Sequence, residues 1–153
     1  MRSSDLPIVR NLNLFADMAD TVFESVMEAS YLQTFPAHVE LIREGDPADF
    51  LYIVVEGNVE LFAKSNGREA TIGHVRPVGT FILAAVLKDA VYLMSARTSQ
   101  KSKLLMIPSE NVRDAFEKDD AFARSIVVQL ASCYRGVVKE YKDLKLRTAV
   151  ERL

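Results

Sequence analysis

Two turn signals lie close together in the middle of the chain, and they limit what this region can fold into. Gly57-Asn58 and Asn66-Gly67 are residue pairs that tolerate the positive φ angles of tight hairpin turns. Between them, the run from Val59 to Lys64 alternates apolar and polar side chains, which predicts a strand with one buried face. Before them, Phe50 to Val55 is rich in the aromatic and β-branched residues that suit a buried strand. The stretch from Val39 to Val86 is therefore predicted to fold as short strands joined by tight turns.

Helices are predicted on both sides of these strands. Residues 1–30 carry apolar side chains at near-helical spacing, and we expect amphipathic helices that pack against the strands. The residues concerned are Leu6, Val9, Leu12 and Phe15 in a first helix, and Val22, Phe23, Val26 and Met27 in a second helix that Asp17 or Asp20 can cap. Beyond the strands, Ser109 is predicted to cap a helix that reaches about Phe116. Asp119-Asp120 then open a longer helix that ends near Leu146.

The long helix carries apolar residues at the alternating three- and four-residue spacing of a coiled-coil seam. They are Val127, Leu130, Tyr134, Val137, Tyr141 and Leu144. A stripe of this regularity needs a surface to pack against, which either a second copy of the chain or the strand region can supply. We expect the helix to form a homodimer, and the alternative is a core helix that lies on the strands.

The composition excludes several classes of protein. A net charge of −2 gives no overall argument for binding nucleic acid. The single cysteine, Cys133, excludes an internal disulfide and argues against an iron–sulfur cluster, which usually takes four thiolates. No apolar run approaches the ~20 residues of a membrane helix, and the charged, interrupted N-terminus is not a secretory signal. We therefore expect a cytoplasmic protein with no membrane contact.

The sequence shows no constellation of residues that indicates catalysis. His38 and His74 are the two histidines, and they do not supply the several converging histidines and carboxylate of a metal site inside a roll of strands. Serine, histidine and aspartate occur, but in no motif context such as G-x-S-x-G. We expect no enzyme activity.

The run REGDPADFLYIVVEGNVELF, from Arg43 to Phe62, carries glycines at set intervals with apolar residues between them. Together with Gly67 and Gly79-Thr80-Phe81, it resembles the double-stranded β-helix of the cyclic-nucleotide-binding fold. In particular it resembles the effector domain of the CRP/FNR family of bacterial transcription regulators. The matching positions within the run are Gly45-Asp46, Leu51-Tyr52, Gly57 and Val59. The resemblance implies a mainly β fold with flanking α-helices, a jelly-roll followed by a long C-terminal dimerisation helix.

The resemblance also implies an organisation into parts. Residues 1–118 would form a β-roll sensor domain with its N-terminal helices, 119–146 the dimerisation helix, and 147–153 the start of a missing DNA-binding domain. Arg152-Leu153 match the opening of the family's winged helix-turn-helix. We expect that domain to follow. A small-molecule or gas effector would then change the arrangement of the dimerisation helices, and with it the orientation of the attached DNA-binding domains. The alternative is a free-standing β-roll protein that binds a small ligand without DNA.

The phosphate-binding residues of the resembling family are missing from this chain. In that family a Gly-Glu pair and an Arg-Ser or Arg-Thr pair hold the cyclic phosphate and its ribose. Here these pairs fall on Leu83-Ala84 and near Ala90-Val91, and Arg97 lies too late in the strand to substitute. A buried cyclic phosphate without its cation would be strongly unfavourable. We therefore expect that neither cyclic AMP nor cyclic GMP is the effector.

An apolar segment occupies that position instead. The predicted ligand pocket consists of Phe81, Ile82, Leu83, Ala84, Val86, Tyr92 and Met94. Three interpretations stay open, namely haem or another flat apolar cofactor, a small apolar metabolite, and a closed core without a ligand. For a non-covalent haem, His74 is the candidate axial ligand because it precedes the segment on a predicted strand. The ordinary alternative for His74 is a solvated histidine, and for Cys133 a small buried hydrophobic residue.

Overall fold

The computed structural model describes residues 6–77, 79–81 and 91–151 of the chain. Ile82, Leu83, Ala84 and Val86 of the predicted pocket therefore lie outside the described residues. Within these ranges, helices stand before and after a set of strands. In chain order the elements are α1 (Leu6–Arg10), α2 (Asp20–Ala29), β1 (Tyr31–Phe35), β2 (Glu40–Ile42), β3 (Phe50–Glu56), β4 (Val59–Ser65), β5 (Arg68–Val75), β6 (Thr80–Phe81), β7 (Ser95–Thr98), β8 (Ser102–Pro108), α3 (Ser109–Lys118) and α4 (Asp120–Glu151).

The strands form two antiparallel sheets. The first sheet has the strand order β1-β8-β3-β6, and the second has the order β2-β7-β4-β5. The chain passes from one sheet to the other at most of its connections, as it does in a jelly-roll. The predicted fold class is confirmed, since the roll is flanked by helices and followed by a long C-terminal helix.

Both predicted turns are present, but only Asn66-Gly67 forms a hairpin, because Gly57-Asn58 joins β3 to β4 and these strands belong to different sheets. Asn66 and Gly67 have φ angles of 53° and 77°, as a type I′ hairpin requires, and they join β4 to β5. Gly57 has a φ of 100°, and a Cβ placed on it would come within 2.6 Å of the Lys101 carbonyl oxygen. Gly57 is therefore needed both for its backbone angle and for the close approach of the chain before β8.

Phe62 breaks the alternation predicted for β4, because it is an apolar residue on the outer face: β4 stays in register with β7 and pairs Glu60 with Arg97 and Phe62 with Ser95. The register of β4 against β5 shifts between Leu61 and Phe62. The guanidinium carbon of Arg97 lies 4.2 Å from the centre of the Phe62 ring, and the ring is only 1% exposed. A cation–π contact therefore helps to cover this ring on the outer face of the second sheet.

The helices cover the outer face of the first sheet. Leu51 and Ile107 are register partners that are fully buried on that face. Phe15, in the turns after α1, stacks on Phe122 of α4 with ring centres 6.0 Å apart. Phe15 also contacts Phe23 of α2 edge-on at 5.9 Å. The N-terminal segment, α2 and the first turns of α4 thus share one apolar layer.

Three helix boundaries differ from the sequence-based expectation. α1 ends at Arg10 instead of continuing through Phe15, and the Arg10 guanidinium donates to the carbonyl oxygens of Phe15 and Met18 in the turns that follow. The N-cap of α3 is Pro108, which makes no side-chain capping bond, and Ser109 is instead the first helical residue. α4 runs past the expected end near Leu146 to Glu151. Although α4 is long, no helix in the described ranges is apolar enough to cross a membrane.

Candidate functional site

The first candidate site is a row of aromatic rings that leads from the exposed Tyr31 to Tyr52 and Phe81, which are buried between the two sheets. Tyr52 of β3 and Phe81 of β6 are register partners, and their rings stack with centres 5.2 Å apart. Phe50 contacts the Tyr52 ring at 6.4 Å, and Tyr31 contacts Phe50 at 6.3 Å. The Tyr52 hydroxyl donates to the Leu41 carbonyl oxygen of β2 at 3.4 Å. Because β2 belongs to the second sheet, this bond identifies the face of Tyr52 and Phe81 as the interior of the roll.

Two buried phenols give this interior polar groups within the described residues. Tyr52 and Tyr92 are 5% and 4% exposed. The Tyr92 hydroxyl donates to the Phe50 carbonyl oxygen at 3.4 Å and accepts from the Phe50 amide at 3.3 Å. Burial, followed by the neighbouring Tyr92 and Asp49, raises the pKa of Tyr52 to about 12. Burial also raises the pKa of Tyr92, so both phenols are neutral hydrogen-bond donors at neutral pH.

Two of the predicted pocket residues, Phe81 and Tyr92, belong to this interior. Phe81 and Tyr92 are buried next to Tyr52, whereas Met94 is only partly buried. Sequence reasoning missed Tyr52 as a site residue because it treated Phe50 to Val55 as a buried strand alone. The pairing of β3 with β6 is the signal that identifies it, since that pairing sets Tyr52 opposite Phe81.

Both histidines lie at the surface. His74 is exposed on β5, and its Nδ1 is 2.8 Å from Asn58 Oδ1. His38 is exposed in the turn between β1 and β2 with a φ of 66°. In the part of the chain that the structure describes, no three His, Cys, Asp or Glu side chains are grouped to hold a metal ion. The exposed position favours a solvated histidine at His74, and axial ligation by His74 stays an untested prediction.

Arg97 is bonded on the outer face of the second sheet. Its Nε donates to Glu60 at 2.7 Å, and its Nη2 donates to Glu69 at 3.0 Å. The hydrogen bonds from Thr71 and Arg97 hold the pKa of the Glu60 carboxyl below its usual value. Because the guanidinium is paired with two carboxylates and stacked on Phe62, it is directed away from the interior of the roll.

A second candidate site is a cleft of about 850 Å³ between the N-terminal loop, β6 and α4. Its polar lining includes Asn13, Asp17, Thr80, Ser125, Gln129 and Ser132. The Thr80 hydroxyl donates to Gln129 Oε1 at 2.7 Å. Successive residues of a strand point to opposite faces, so Thr80 faces the cleft while Phe81 faces the interior. The strand β6 therefore places one side chain in each candidate site.

α4 leaves large apolar side chains uncovered beyond the roll. Four of the predicted seam residues are 56–71% exposed, namely Val127, Tyr134, Tyr141 and Leu144. Leu130 instead packs partly against the core. The side chains of Val137 and Cys133 lie outside the described part of the structure. Within the described chain, most of the predicted seam thus lacks a covering surface.

The fold is similar to that of several known structures. It is similar to the sensor domain of the transcriptional regulator DNR from Pseudomonas aeruginosa, with a TM-score of 0.76 and 17% identity over 90% of this chain and 93% of that chain. It is similar to the whole DNR protein, with a TM-score of 0.74 and 18% identity over 95% of this chain and 65% of that one. It is also similar to the catabolite activator protein of Thermus thermophilus, with a TM-score of 0.73 and 22% identity over 88% of this chain and 63% of that one. The chain thus spans somewhat less than two thirds of the length of these two longer proteins.

The family comparison rests on sequence. No curated protein matches the chain. Residues 32–119 match the family model of the cyclic nucleotide-binding domain. That match covers more than half of the sequence and includes every strand except the first residue of β1. The chain therefore belongs to the cyclic nucleotide-binding domain family.

Proposed function

We propose that this chain is the effector-sensing and dimerisation domain of a cytoplasmic CRP/FNR-type transcription regulator. DNA would be read by a helix-turn-helix domain that follows α4. The observation that carries the proposal is the uncovered apolar seam of α4, where Tyr134 is 71% exposed. The likeness of the fold to the DNR sensor domain supports it.

The seam fits a second copy of the same chain. Large apolar side chains that recur at three- and four-residue spacing pack well against a similar stripe on a second helix. A twofold axis along the helix would bring the Tyr134 and Tyr141 side chains of both copies together, because such an interface is self-complementary. The pair would then bury apolar surface that a single chain leaves in water.

α4 also connects the roll to the proposed dimer. Phe122 and Ile126 in its first turns are fully buried in the core, whereas Tyr141 and Leu144 lie several turns further along the same helix. A change in the roll therefore acts on one continuous element whose far end would carry the DNA reader. Such a helix can convert a small shift near an effector into a change of quaternary arrangement.

Sedimentation of the full chain tests the dimer. Tyr134→Glu combined with Tyr141→Glu places like charges in a desolvated interface, and we expect monomers. Both side chains are exposed in the single chain, so the roll should still fold. Arg135→Glu combined with Lys142→Glu is the control, because these residues lie on another side of α4. A wild-type chain that stays monomeric over a wide concentration range would contradict the dimer, and a stop codon directly after Leu153 would contradict the DNA reader.

We also propose that the effector is a neutral, largely apolar small molecule. The described interior offers stacked aromatic rings and two neutral phenols, Tyr52 and Tyr92. Arg97 is committed to Glu60 and Glu69 outside the roll. Such a lining favours apolar surface over an anion, since both phenol hydrogens are already donated to backbone carbonyl oxygens.

Haem fits the described residues poorly. A haem iron needs an axial ligand, and both histidines are exposed. The raised pKa of Tyr52 opposes the phenolate that iron ligation by tyrosine requires. The proposal therefore gives preference to a small metabolite without a metal.

A neutral fluorescent probe, N-phenyl-1-naphthylamine, tests the apolar effector proposal. We expect saturable binding with a defined stoichiometry, weakened about tenfold or more by Phe81→Ala, which removes most of a stacked ring. Ile72→Ala on β5 is the control, because Ile72 is exposed outside the aromatic row. Linear, non-saturating emission, or equal weakening by both variants, would overturn the proposal.

A further inference from the structure

The hydrogen bond from Thr80 to Gln129 joins the strand that borders the interior to the helix that carries the seam. Thr80 and its neighbour Phe81 are the two residues of β6, and they face opposite ways. Phe81 stacks on Tyr52 inside the roll, and Thr80 donates to Gln129 of α4 at 2.7 Å. We propose that Thr80 and Gln129 are positioning residues whose hydrogen bond transmits a displacement of β6 to α4. The inference rests on the proposed sensor function and assigns its internal link to two residues.

The strand β6 is suited to being displaced by a ligand in the interior of the roll. It has two residues and pairs with β3 at the edge of the first sheet, through Tyr52 with Phe81 and Ile53 with Thr80. The carbonyl oxygen of Gly79 adds one bond, which it accepts from the Val54 amide at 2.9 Å. A short edge strand is displaced more easily than a central one, because fewer backbone bonds restrain it. A ligand that moves the Phe81 ring would therefore also move Thr80, which shares the same backbone.

Gln129, which accepts the hydrogen bond from Thr80, lies where α4 passes from the core to the seam. Ile126, one turn before Gln129, is fully buried, and Leu130 directly after it is a seam residue that packs partly against the core. Backbone hydrogen bonds couple successive turns of an α-helix, so a shift at Gln129 is carried along the helix axis. The direction in which the seam faces would change with it.

Neighbouring side chains in the cleft do not take over this role. The Ser125 hydroxyl donates to the Ala121 carbonyl oxygen of its own helix at 3.0 Å. Ser132 lines the same cleft and is exposed, and the described part of the chain offers its hydroxyl no hydrogen bond. Ser132→Ala is therefore a matched control that changes a cleft hydroxyl without touching the link.

Transmission can be measured by ¹⁵N NMR on the full chain without any effector. The perturbation is Phe81→Leu, and the readout is the shift that it causes at the amides of Gln129 and Leu130. We expect this shift in the wild type, in the Ser132→Ala control and in Thr80→Ser, which keeps the hydroxyl. In Thr80→Val, which removes the hydroxyl at nearly constant shape, we expect the shift to fall to less than half. Gln129→Met should give the same loss, and the double variant should add nothing to it.

A merely structural role would not produce this pattern of rescue by serine. Equal shifts in the Thr80→Val and wild-type backgrounds would overturn the proposal. If Phe81→Leu prevents folding, Tyr52→Phe replaces it, because that change removes only a hydroxyl from the stacked partner. As a second readout, Thr80→Val should raise the dimer dissociation constant about 2- to 10-fold, and Thr80→Ser should leave it unchanged. A monomeric wild type would contradict the proposed dimer but not the link. A wild type that is dimeric, but in which Phe81→Leu causes no shift at Gln129 and Leu130, would contradict the link but not the dimer.

Discussion

The Asp119 carboxylate accepts a hydrogen bond from the Ala19 backbone amide at 2.8 Å, across 100 positions of the chain. Its other oxygen accepts from the Phe122 amide at 2.9 Å. Asp119 thus stands between α3 and α4, caps the start of α4 and holds the residue before α2. The residue is only 7% exposed, so water cannot readily replace these bonds. One carboxylate therefore fixes the point at which the long helix leaves the domain.

Asp119→Ala should lower the free energy of unfolding by about 2 kcal/mol. The change removes a helix cap, worth about 1 kcal/mol, and leaves the Ala19 amide without its acceptor at a similar cost. Chemical denaturation of the full chain measures the loss. Asp120→Ala is the control, because the neighbouring side chain is exposed and caps nothing in the described structure. Equal losses in the two variants would contradict the role given to Asp119.

The stability of the chain should depend on the ionisation of Asp119. Hydrogen bonds from the Phe122 and Ala19 amides hold the pKa of this carboxyl below its usual value. A folded pKa below the unfolded value of about 3.9 contributes stability above about pH 4, and that contribution is lost as the pH falls through the folded pKa. Asp119→Asn, which cannot ionise, should therefore show a shallower fall of unfolding free energy below about pH 5. Parallel pH profiles for the two proteins would count against this assignment.

The parts of the fold that depend on local chemistry could be predicted from the sequence. Asn66-Gly67 identifies its hairpin because few residue pairs tolerate two positive φ angles in succession. The apolar spacing after Asp119 predicts a long helix for the same local reason. The end of α1 could not be predicted, because the turns after Arg10 depend on the contacts of its guanidinium with Phe15 and Met18. The bond between Asp119 and Ala19 likewise exists only after distant segments have packed together.

Gly57→Ala should destabilise the fold more than Gly45→Ala. Both glycines have positive φ, 100° and 90°, so alanine is strained at either position by about 1–2 kcal/mol. At Gly57 the new Cβ would also clash with Ser102 Oγ and come within 2.6 Å of the Lys101 carbonyl oxygen, whereas nothing lies within 4 Å at Gly45. Thermal unfolding of the two variants measures the difference in melting temperature. Because the backbone strain is similar at both positions, this difference reports the steric contact at Gly57. Equal melting temperatures would show that the approach of the chain before β8 relaxes freely.

The candidate site could be predicted only in part. Phe81 and Tyr92 follow from the resemblance, because the family places its ligand segment there, and both lie next to Tyr52. Tyr52 itself could not be predicted, since its role depends on which strand pairs with β3. The orientation of Arg97 was also beyond sequence reasoning. It follows from the pairing of β7 with β4, which sets Arg97 opposite Glu60, and from the Glu69 carboxylate on β5.

Calorimetry with cyclic AMP should show no saturable heat at micromolar concentrations. A cyclic phosphate buried in the roll needs a cation, and Arg97 is paired with Glu60 at 2.7 Å on the outer face. A cyclic-AMP-binding domain in the same buffer is the positive control. Saturable heat with the present chain would contradict the match of Leu83-Ala84 and Ala90-Val91 to the phosphate-binding pairs.

Haem titration into the full chain decides the role of His74. We expect His74→Ala to leave the Soret band unchanged, because His74 is exposed on β5 and its Nδ1 lies 2.8 Å from Asn58 Oδ1. Phe81→Ala serves as the comparison inside the roll, since it opens the aromatic row without altering the outer face. A broad, free-haem-like spectrum with all three proteins agrees with a neutral apolar effector. A sharp Soret band with a defined stoichiometry that His74→Ala abolishes would establish His74 as an axial ligand. It would also refute the metal-free effector, because the haem iron would then be bound by a histidine that is exposed on the outside of the roll.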